Sequence, residues 1–229
     1  MASEVQDVLR NTDAVCFDVD STVIQEEGID ELAKFCKRGE EVAELTARAM
    51  TGNMTFQEAL KIRLDLIQPS LIQIKEFIKT RPATLTPGVR NLINLLHSRH
   101  VPVFLISGGF RCIIAPIAHQ LHIPYENIFA NRLKFYFTGN YLENTLVSTK
   151  TQPTSKSGGK AVVVDYLKNK YEFKNLVLVG DGVTDLEACP PADAFIGYGG
   201  NVIRPKVQAK AKWFVTDFNE IIDVLNQSV

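Results

Sequence analysis

The 229 residues are 45% hydrophobic, enough for one sizeable core or for a core with a small second unit. A formal net charge of -1 gives no reason to expect nucleic acid or an anionic membrane as partner. No apolar run approaches the length of a membrane span, and Val101–Ile106 is typical of the longest. The opening residues, Met1-Ala2-Ser3-Glu4-Val5-Gln6-Asp7, are acidic and polar, unlike a signal or transit peptide. Cys16, Cys36, Cys112 and Cys189 are scattered, form no CxxC pair, and read as reduced, mostly buried thiols. Together these features predict a cytosolic protein without disulfides.

The first strong element is the apolar run Ala14-Val15-Cys16-Phe17, which ends in Asp18-Val19-Asp20-Ser21-Thr22. Strand side chains alternate faces, so Asp18 and Asp20 are expected side by side where the strand stops. Ligands of open α/β sheets bind at such strand ends. Two carboxylates that close repel each other and stay ionised together only beside a cation. A solvated turn rich in Asp and Ser is the other reading of this stretch.

Roughly Gln25 to Thr80 shows apolar positions at helical spacing: Ile29, Leu32, Ala33 and Cys36, then Val42, Leu45 and Ala49, then Ala59, Ile62 and Leu66. Thr55 with Glu58, and Ser70 with Gln73, have the spacing of capping boxes. About four short helices are therefore predicted, inserted into an α/β pattern that resumes afterwards. Arg63 emerges among Ala59, Leu60, Leu66 and Ile67 on its helix. It reads either as a snorkelling side chain or as a ligand-binding one. Glu27, with Glu26 and Asp30, could simply be the acidic first turn of a helix.

Thr86-Pro87 predicts a cap and a proline at the first helical position, with Leu92, Ile93, Leu95 and Leu96 as the buried face. The run Val101–Ile106 reads as a central parallel strand. It ends in Ser107-Gly108-Gly109 before a helix carrying Ile113, Ile114, Ile117 and Leu121. Glycines that admit close backbone approach, with free N–H groups at a helix start, suit an anion; a tight turn is the alternative. Leu133, Phe135 and Phe137 alternate with polar residues, and Thr138-Gly139-Asn140 turns the chain towards Val147, the pattern of a β-hairpin. Ser148 to Ser157 reads as a loop, and Gly158-Gly159-Lys160 opens a helix with Val163, Tyr166 and Leu167 on one side. Leu176–Val179 is a further buried strand, and it ends in Gly180-Asp181-Gly182-Val183-Thr184-Asp185. Ala194–Gly197 and Trp213–Val215 continue the sheet, and a last helix runs from Asp217 to about Leu225.

Two acid-bearing strand ends, a Ser-Gly-Gly turn and a Gly-Gly-Lys helix start would all face one crevice. Clustered carboxylates suit a hard cation, Mg²⁺ best among them. A serine, a lysine and backbone amides around it are the parts of phosphoryl transfer. One carboxylate can attack phosphorus while its neighbour handles the leaving-group proton.

The motifs Asp18-Val19-Asp20-Ser21-Thr22, Ser107-Gly108-Gly109, Lys160 and Gly180–Asp185 resemble those of the haloacid dehalogenase superfamily. Nearly the whole chain is similar to the phosphoserine phosphatase family within it. That similarity rests on Glu26–Ala33, Ser107–Phe110, Ala130–Leu133, Pro153–Lys160 and Asp181–Pro191. The resemblance implies an α/β, Rossmann-like parallel sheet formed by residues 1–24 and 80–229, with a four-helix cap inserted at 25–79 and a small β-hairpin. It implies hydrolysis of phosphoserine, the last step of serine biosynthesis, through an aspartyl-phosphate on Asp18, with Asp20 as acid and base. Mg²⁺ would be held by Asp18, the Asp20 main-chain carbonyl, Asp181 and Asp185. Ser107, Gly108, Gly109 and Lys160 would hold the phosphoryl group. Glu27 and Arg63 would read the amine and carboxylate, with Met50, Phe56 and Thr184 lining the pocket. The family implies a small-molecule substrate and leaves a homodimer open. Another phosphatase of the superfamily, acting on a different small phosphate ester, and a catalytically silent binding protein are the competing readings. Between Tyr141 and Thr151 the chain is longer and less acidic than in those relatives.

Overall fold

The first strand in the chain is a central strand of the sheet. In the computed structural model, four consecutive buried apolar residues form β1 (Ala14–Phe17). Its neighbours are β2 (Val103–Phe110) and β6 (Leu176–Gly180), both parallel to it. The structure describes residues 2–51, 55–137, 144–146, 153–155 and 158–227, with the backbone alone at 46–51, 136–137, 144–146 and 155. Among these, β3 (Ile128–Asn131), β7 (Ala194–Tyr198) and β8 (Trp213–Val215) complete a six-stranded sheet in the order β3-β2-β1-β6-β7-β8. All its pairings are parallel. The predicted hairpin is present as β4 (Phe135–Phe137) and β5 (Asn144–Leu146), antiparallel to each other; its turn lies outside the described residues.

A parallel sheet buries both faces, so its strands are apolar throughout. On one face Val15, Phe17, Val103, Leu105, Val177 and Val179 pack against α1 (Ala2–Arg10), α6 (Val89–Ser98), α7 (Arg111–Gln120) and α11 (Phe218–Asn226). On the other, Cys16, Phe104, Ile106 and Leu178 meet Val163, Val164 and Leu167 of α8 (Gly159–Tyr171). Tyr166 is 48% exposed, edge-on to Phe129 with Lys170 over its ring, and Val164 takes its place in the core.

Between β1 and β2, α2 (Gly28–Phe35), α3 (Gly39–Thr51), α4 (Phe56–Ile67) and α5 (Leu71–Thr80) share a separate apolar cluster built on Leu32, Val42, Leu60, Leu64, Ile74 and Phe77. Both capping boxes are formed, Thr55 with Glu58 and Ser70 with Gln73. The two connectors of this insertion lie together. Ile24 bridges Leu85, Gln25 N donates to Thr84 O at 3.0 Å, and Thr86 N donates to Val23 O at 2.9 Å.

α6 begins two residues later than the Thr86-Pro87 pattern predicts. Gly88, at φ 82°, takes the N-cap in a conformation that favours glycine. The Thr86 hydroxyl instead accepts from Asn201 Nδ2 at 2.7 Å. All four cysteines are free, with Cys16 fully buried, where desolvation pushes its thiol pKa up. Among the described residues no helix is long and apolar enough to cross a membrane.

Candidate active site

The acid pair does not occupy a strand end in simple alternation. β1 stops at Phe17, and Val19–Val23 winds into a tight turn in which Ser21 has φ 53°. The turn aims the two carboxylates differently. Asp18 Oδ1 accepts from Val19 N, while Oδ2 lies 2.7 Å from Lys160 Nζ. Asp20 Oδ1 accepts from Gly28 N at 2.7 Å and Oδ2 from the Ser107 hydroxyl at 3.2 Å. Ser21 Oγ donates to Glu27 Oε1 at 2.8 Å, which ties the turn to the first helix of the insertion.

β6 delivers the second group of acids. Asp181 follows Gly180 directly, and Asp185 lies in the short helix α9 (Val183–Leu186), accepting from Lys160 Nζ at 2.7 Å and from Gly182 N at 3.1 Å. Carboxylate oxygens of Asp18, Asp181 and Asp185 all lie within 4.8 Å of one another and are buried. Burial raises the pKa of Asp185 well above the carboxylate range, the Asp18 charge adds to that, and Lys160 opposes it. Asp181 is raised by burial and by Asp18, against Arg204 and Lys160. An oxygen-only donor set of this charge fits a hard divalent cation. Lys160 is 7% exposed, and burial works against its charge. Asp18 and Asp185 outweigh that and hold its pKa above the usual lysine range. Asp20 is different again. Burial, then Glu27 and Asp18, raise it to about 7, partly offset by the Gly28 and Ser107 hydrogen bonds.

The strand does not end at Ile106 as predicted: β2 runs on through Ser107-Gly108-Gly109 to Phe110, with an irregularity in its pairing to β3 between Ile106 and Phe110, and Gly109 N donates to Ser107 Oγ at 2.8 Å. A Cβ on Gly109 would stand 2.9 Å from Asp20 Oδ2 and 3.0 Å from Ser107 Oγ, so glycine keeps this space clear. The Phe56 ring, at the start of α4, lies against Gly108. Glu27 is raised by burial, and Arg204 and Ser21 counter the effect. Thr184 is in the first turn of α9. Arg63 is on α4, its Nε buried with no hydrogen-bond partner among the described residues. The Met50 side chain lies outside the described residues. One centre therefore gathers Asp18, Asp20, Ser107, Lys160, Asp181, Asp185 and Glu27, with Gly108, Gly109 and Phe56 beside it. Among the described residues no hydrogen bond or ion pair joins Arg63 to it.

Sequence reasoning missed Arg204. Its Nε donates to Asp181 Oδ2 at 2.6 Å and its guanidinium reaches Glu27 Oε1 at 3.1 Å, so one side chain bridges the second acid group and the insertion. A signal existed: β7 ends at the same sheet edge, followed by Gly199-Gly200-Asn201 and by Arg204 ahead of Pro205 at the start of α10 (Pro205–Lys210). Asn201 was missed as well; its amide donates to Ser21 O at 3.1 Å and holds the turn.

The family model for haloacid dehalogenase-like hydrolases matches residues 12–193. The phosphoserine phosphatase of Rattus norvegicus is 55% identical over 225 residues, covering 98% of each chain. Among solved structures, the phospho-aspartyl intermediate analogue of phosphoserine phosphatase is similar with a TM-score of 0.76 and 27% identity, over 93% of this chain and 98% of that one. The Dunaliella salina protein DsGPDH gives a TM-score of 0.85 at 37% identity over 97% of this chain, which spans 37% of that longer one.

Proposed function

The chain belongs to the phosphoserine phosphatase family of haloacid dehalogenase-like hydrolases, and from that membership we propose its reaction, hydrolysis of O-phospho-L-serine to serine and phosphate. The reaction is the closing step of serine biosynthesis. A carboxylate oxygen of Asp18 attacks phosphorus, the P–O bond to the seryl oxygen breaks, and Asp20 gives that oxygen its proton. Water then attacks the phosphoryl group on Asp18 while Asp20 takes a proton back, and phosphate leaves. Lys160, the Ser107 hydroxyl and the backbone N–H groups of Gly108 and Gly109 hold the phosphoryl oxygens. Mg²⁺ is the proposed cation; Asp18, the Asp20 carbonyl and Asp181 would hold it, with Asp185 supporting, and it would neutralise charge on the transferring group. Glu27 reads the substrate amine and Arg63 its carboxylate, with Met50, Phe56 and Thr184 around the side chain. Residues 25–79 form the cap that carries Glu27, Met50, Phe56 and Arg63, while Thr184 comes from the core. The protein is proposed to be cytoplasmic, with a homodimer compatible with this reading.

What supports the reading best is the division of labour between the two acids. Asp18 is paired with Lys160 at 2.7 Å, whereas Asp20 keeps a proton to about pH 7. A nucleophile must be ionised, and an acid must still hold its proton. Phosphate release with Mg²⁺ over a panel of phospho-amino acids and sugar phosphates tests this, with Asp18→Asn alongside. Phosphoserine should give the highest kcat/KM, and Asp18→Asn should lose essentially all turnover while staying folded. A better sugar phosphate, or an Asp18→Asn variant keeping a tenth of the rate, would overturn it.

A further inference from the structure

Two sequence motifs, Ala130–Leu133 and Pro153–Lys160, supply family resemblance, yet only Lys160 among their residues has been given a part in the chemistry. The structure brings them together behind the Ser107-Gly108-Gly109 stretch of β2. Asn131, the last residue of β3, is 0% exposed. Its Nδ2 donates to Gly108 O at 2.8 Å, and its Oδ1 accepts from the Thr154 hydroxyl at 3.1 Å. Thr154 is 4% exposed and lies in a single 3₁₀ turn, Pro153–Ser155. That turn presses on the start of α8: a Cβ on Gly159 would run into the Pro153 carbonyl and Thr154 Cα. Lys160 comes next in the chain.

The carbonyl of Gly108 and the N–H of Gly109 belong to one rigid peptide plane. Asn131 holds its oxygen, and Ser107 Oγ accepts its N–H at 2.8 Å. With that lone pair engaged, the Ser107 hydroxyl donates onward to Asp20 Oδ2 at 3.2 Å. A continuous chain of donors thus runs from Thr154 through Asn131, the 108–109 peptide and Ser107 to Asp20. Each member polarises the next, and a buried amide with both ends bonded cannot flip.

We propose that Asn131 and Thr154 are positioning residues for the phosphatase reaction: they lock the 108–109 peptide and, through it, the direction in which Ser107 presents its hydroxyl to Asp20 and the phosphoryl group. The proposal rests on the assignment of Asp20 as acid and base. Neither residue touches substrate, so both act on the transition state more than on substrate binding. Thr154→Val keeps the side-chain shape and removes the first donor. Its kcat for phosphoserine should fall about three- to tenfold, with KM within about twofold of wild type. Thr154→Ser restores the hydroxyl and should return kcat to within about twofold. Asn131→Asp sets an acceptor against the Gly108 carbonyl and should cost more, about thirtyfold or beyond.

All rates are normalised to folded fraction by near-UV circular dichroism, so the soluble Thr154 pair decides the matter even where Asn131→Asp folds poorly. Thr154→Val at wild-type kcat, or Thr154→Ser no better than Thr154→Val, would overturn the proposal. So would a loss carried wholly by KM. Failure of the underlying assignment looks different: wild type would release no phosphate from phosphoserine, or Asp20→Asn would keep full turnover.

Discussion

Replacing Lys160 by Met should separate what this lysine does for the fold from what it does for the chemistry. Its Nζ lies 2.7 Å from both Asp18 Oδ2 and Asp185 Oδ1, in a site where three carboxylates approach within 4.8 Å. Met fills the same volume and removes the charge, leaving Arg204 on Asp181 as the nearest compensation. Removing one partner of a buried ion pair costs about 3–5 kcal/mol. For a domain of this size that is roughly 6–20 °C in Tm. The deficit should be read in EDTA by thermal denaturation. It should shrink as pH falls: Asp185 and Asp181 are already raised by burial and Lys160 opposes that rise, so without it their folded-state pKa values lie further above the unfolded ones and they bind protons more tightly when folded. Stability is then greatest at low pH and is lost as pH rises through the raised values. A divalent cation binds the folded state and should restore most of the Tm. It should not restore turnover, because Lys160 is also the proposed donor to the transferring group, and losing such a donor costs about a hundredfold or more by itself. A Tm in EDTA within about 2 °C of wild type, gaining no more from Mg²⁺ than wild type gains, would refute the view that Lys160 neutralises the cation-binding acids.

Two further outcomes test the neighbouring residues. Asp20 has its pKa raised to about 7 by burial, Glu27 and Asp18, from an ordinary 3.8. The folded state therefore holds this proton between those values, and the wild type loses stability across that window as pH rises. Metal-free Asp20→Asn should have a higher Tm than wild type at pH 8 and no such gain at pH 4; an equal gain at both would show that ionisation is not the cause. Arg63→Ala should lower kcat/KM for phosphoserine roughly tenfold to a few hundredfold, as loss of a charge-assisted contact does. Phosphoethanolamine, which lacks the carboxylate, should lose far less, and equal losses on the two esters would make Arg63 a packing residue.

The sheet was legible because parallel strands are apolar on both faces: Ala14–Phe17, Val103–Ile106 and Leu176–Val179 are uninterrupted apolar runs. The cap boxes at Thr55 and Ser70 were legible because each is a local, three-residue spacing. What escaped depends on contacts distant in sequence. Arg204 acquires meaning only through Asp181 and Glu27, and Asn131 only through Gly108 and Thr154. The helix α1 gave little signal in sequence, since among its polar residues only Val5 and Leu9 are buried. Period-two alternation put Asp18 and Asp20 side by side, whereas the structure aims them at different partners, Asp18 at Lys160 and Asp20 at Gly28 and Ser107. Their directions are set by a turn held by Asn201, Glu27 and the left-handed Ser21, not by strand pleating.

The place of β1 in the sheet bears on how the chain is made. Val15 lies opposite Val103 on one side and Val177 on the other. Synthesis adds about 5–20 residues each second, so β1 leaves the ribosome roughly ten to thirty seconds before the partner on its second edge exists. The helices of the insertion, whose contacts are local, can form within that interval; the sheet cannot. Closing so long a loop adds little to the final free energy, because its entropy grows only logarithmically with length. The burden is kinetic. Until Leu176–Gly180 emerges, Ala14–Phe17 is an apolar strand with an unpaired edge, the kind of segment that adds to foreign strands or is sheltered by chaperones.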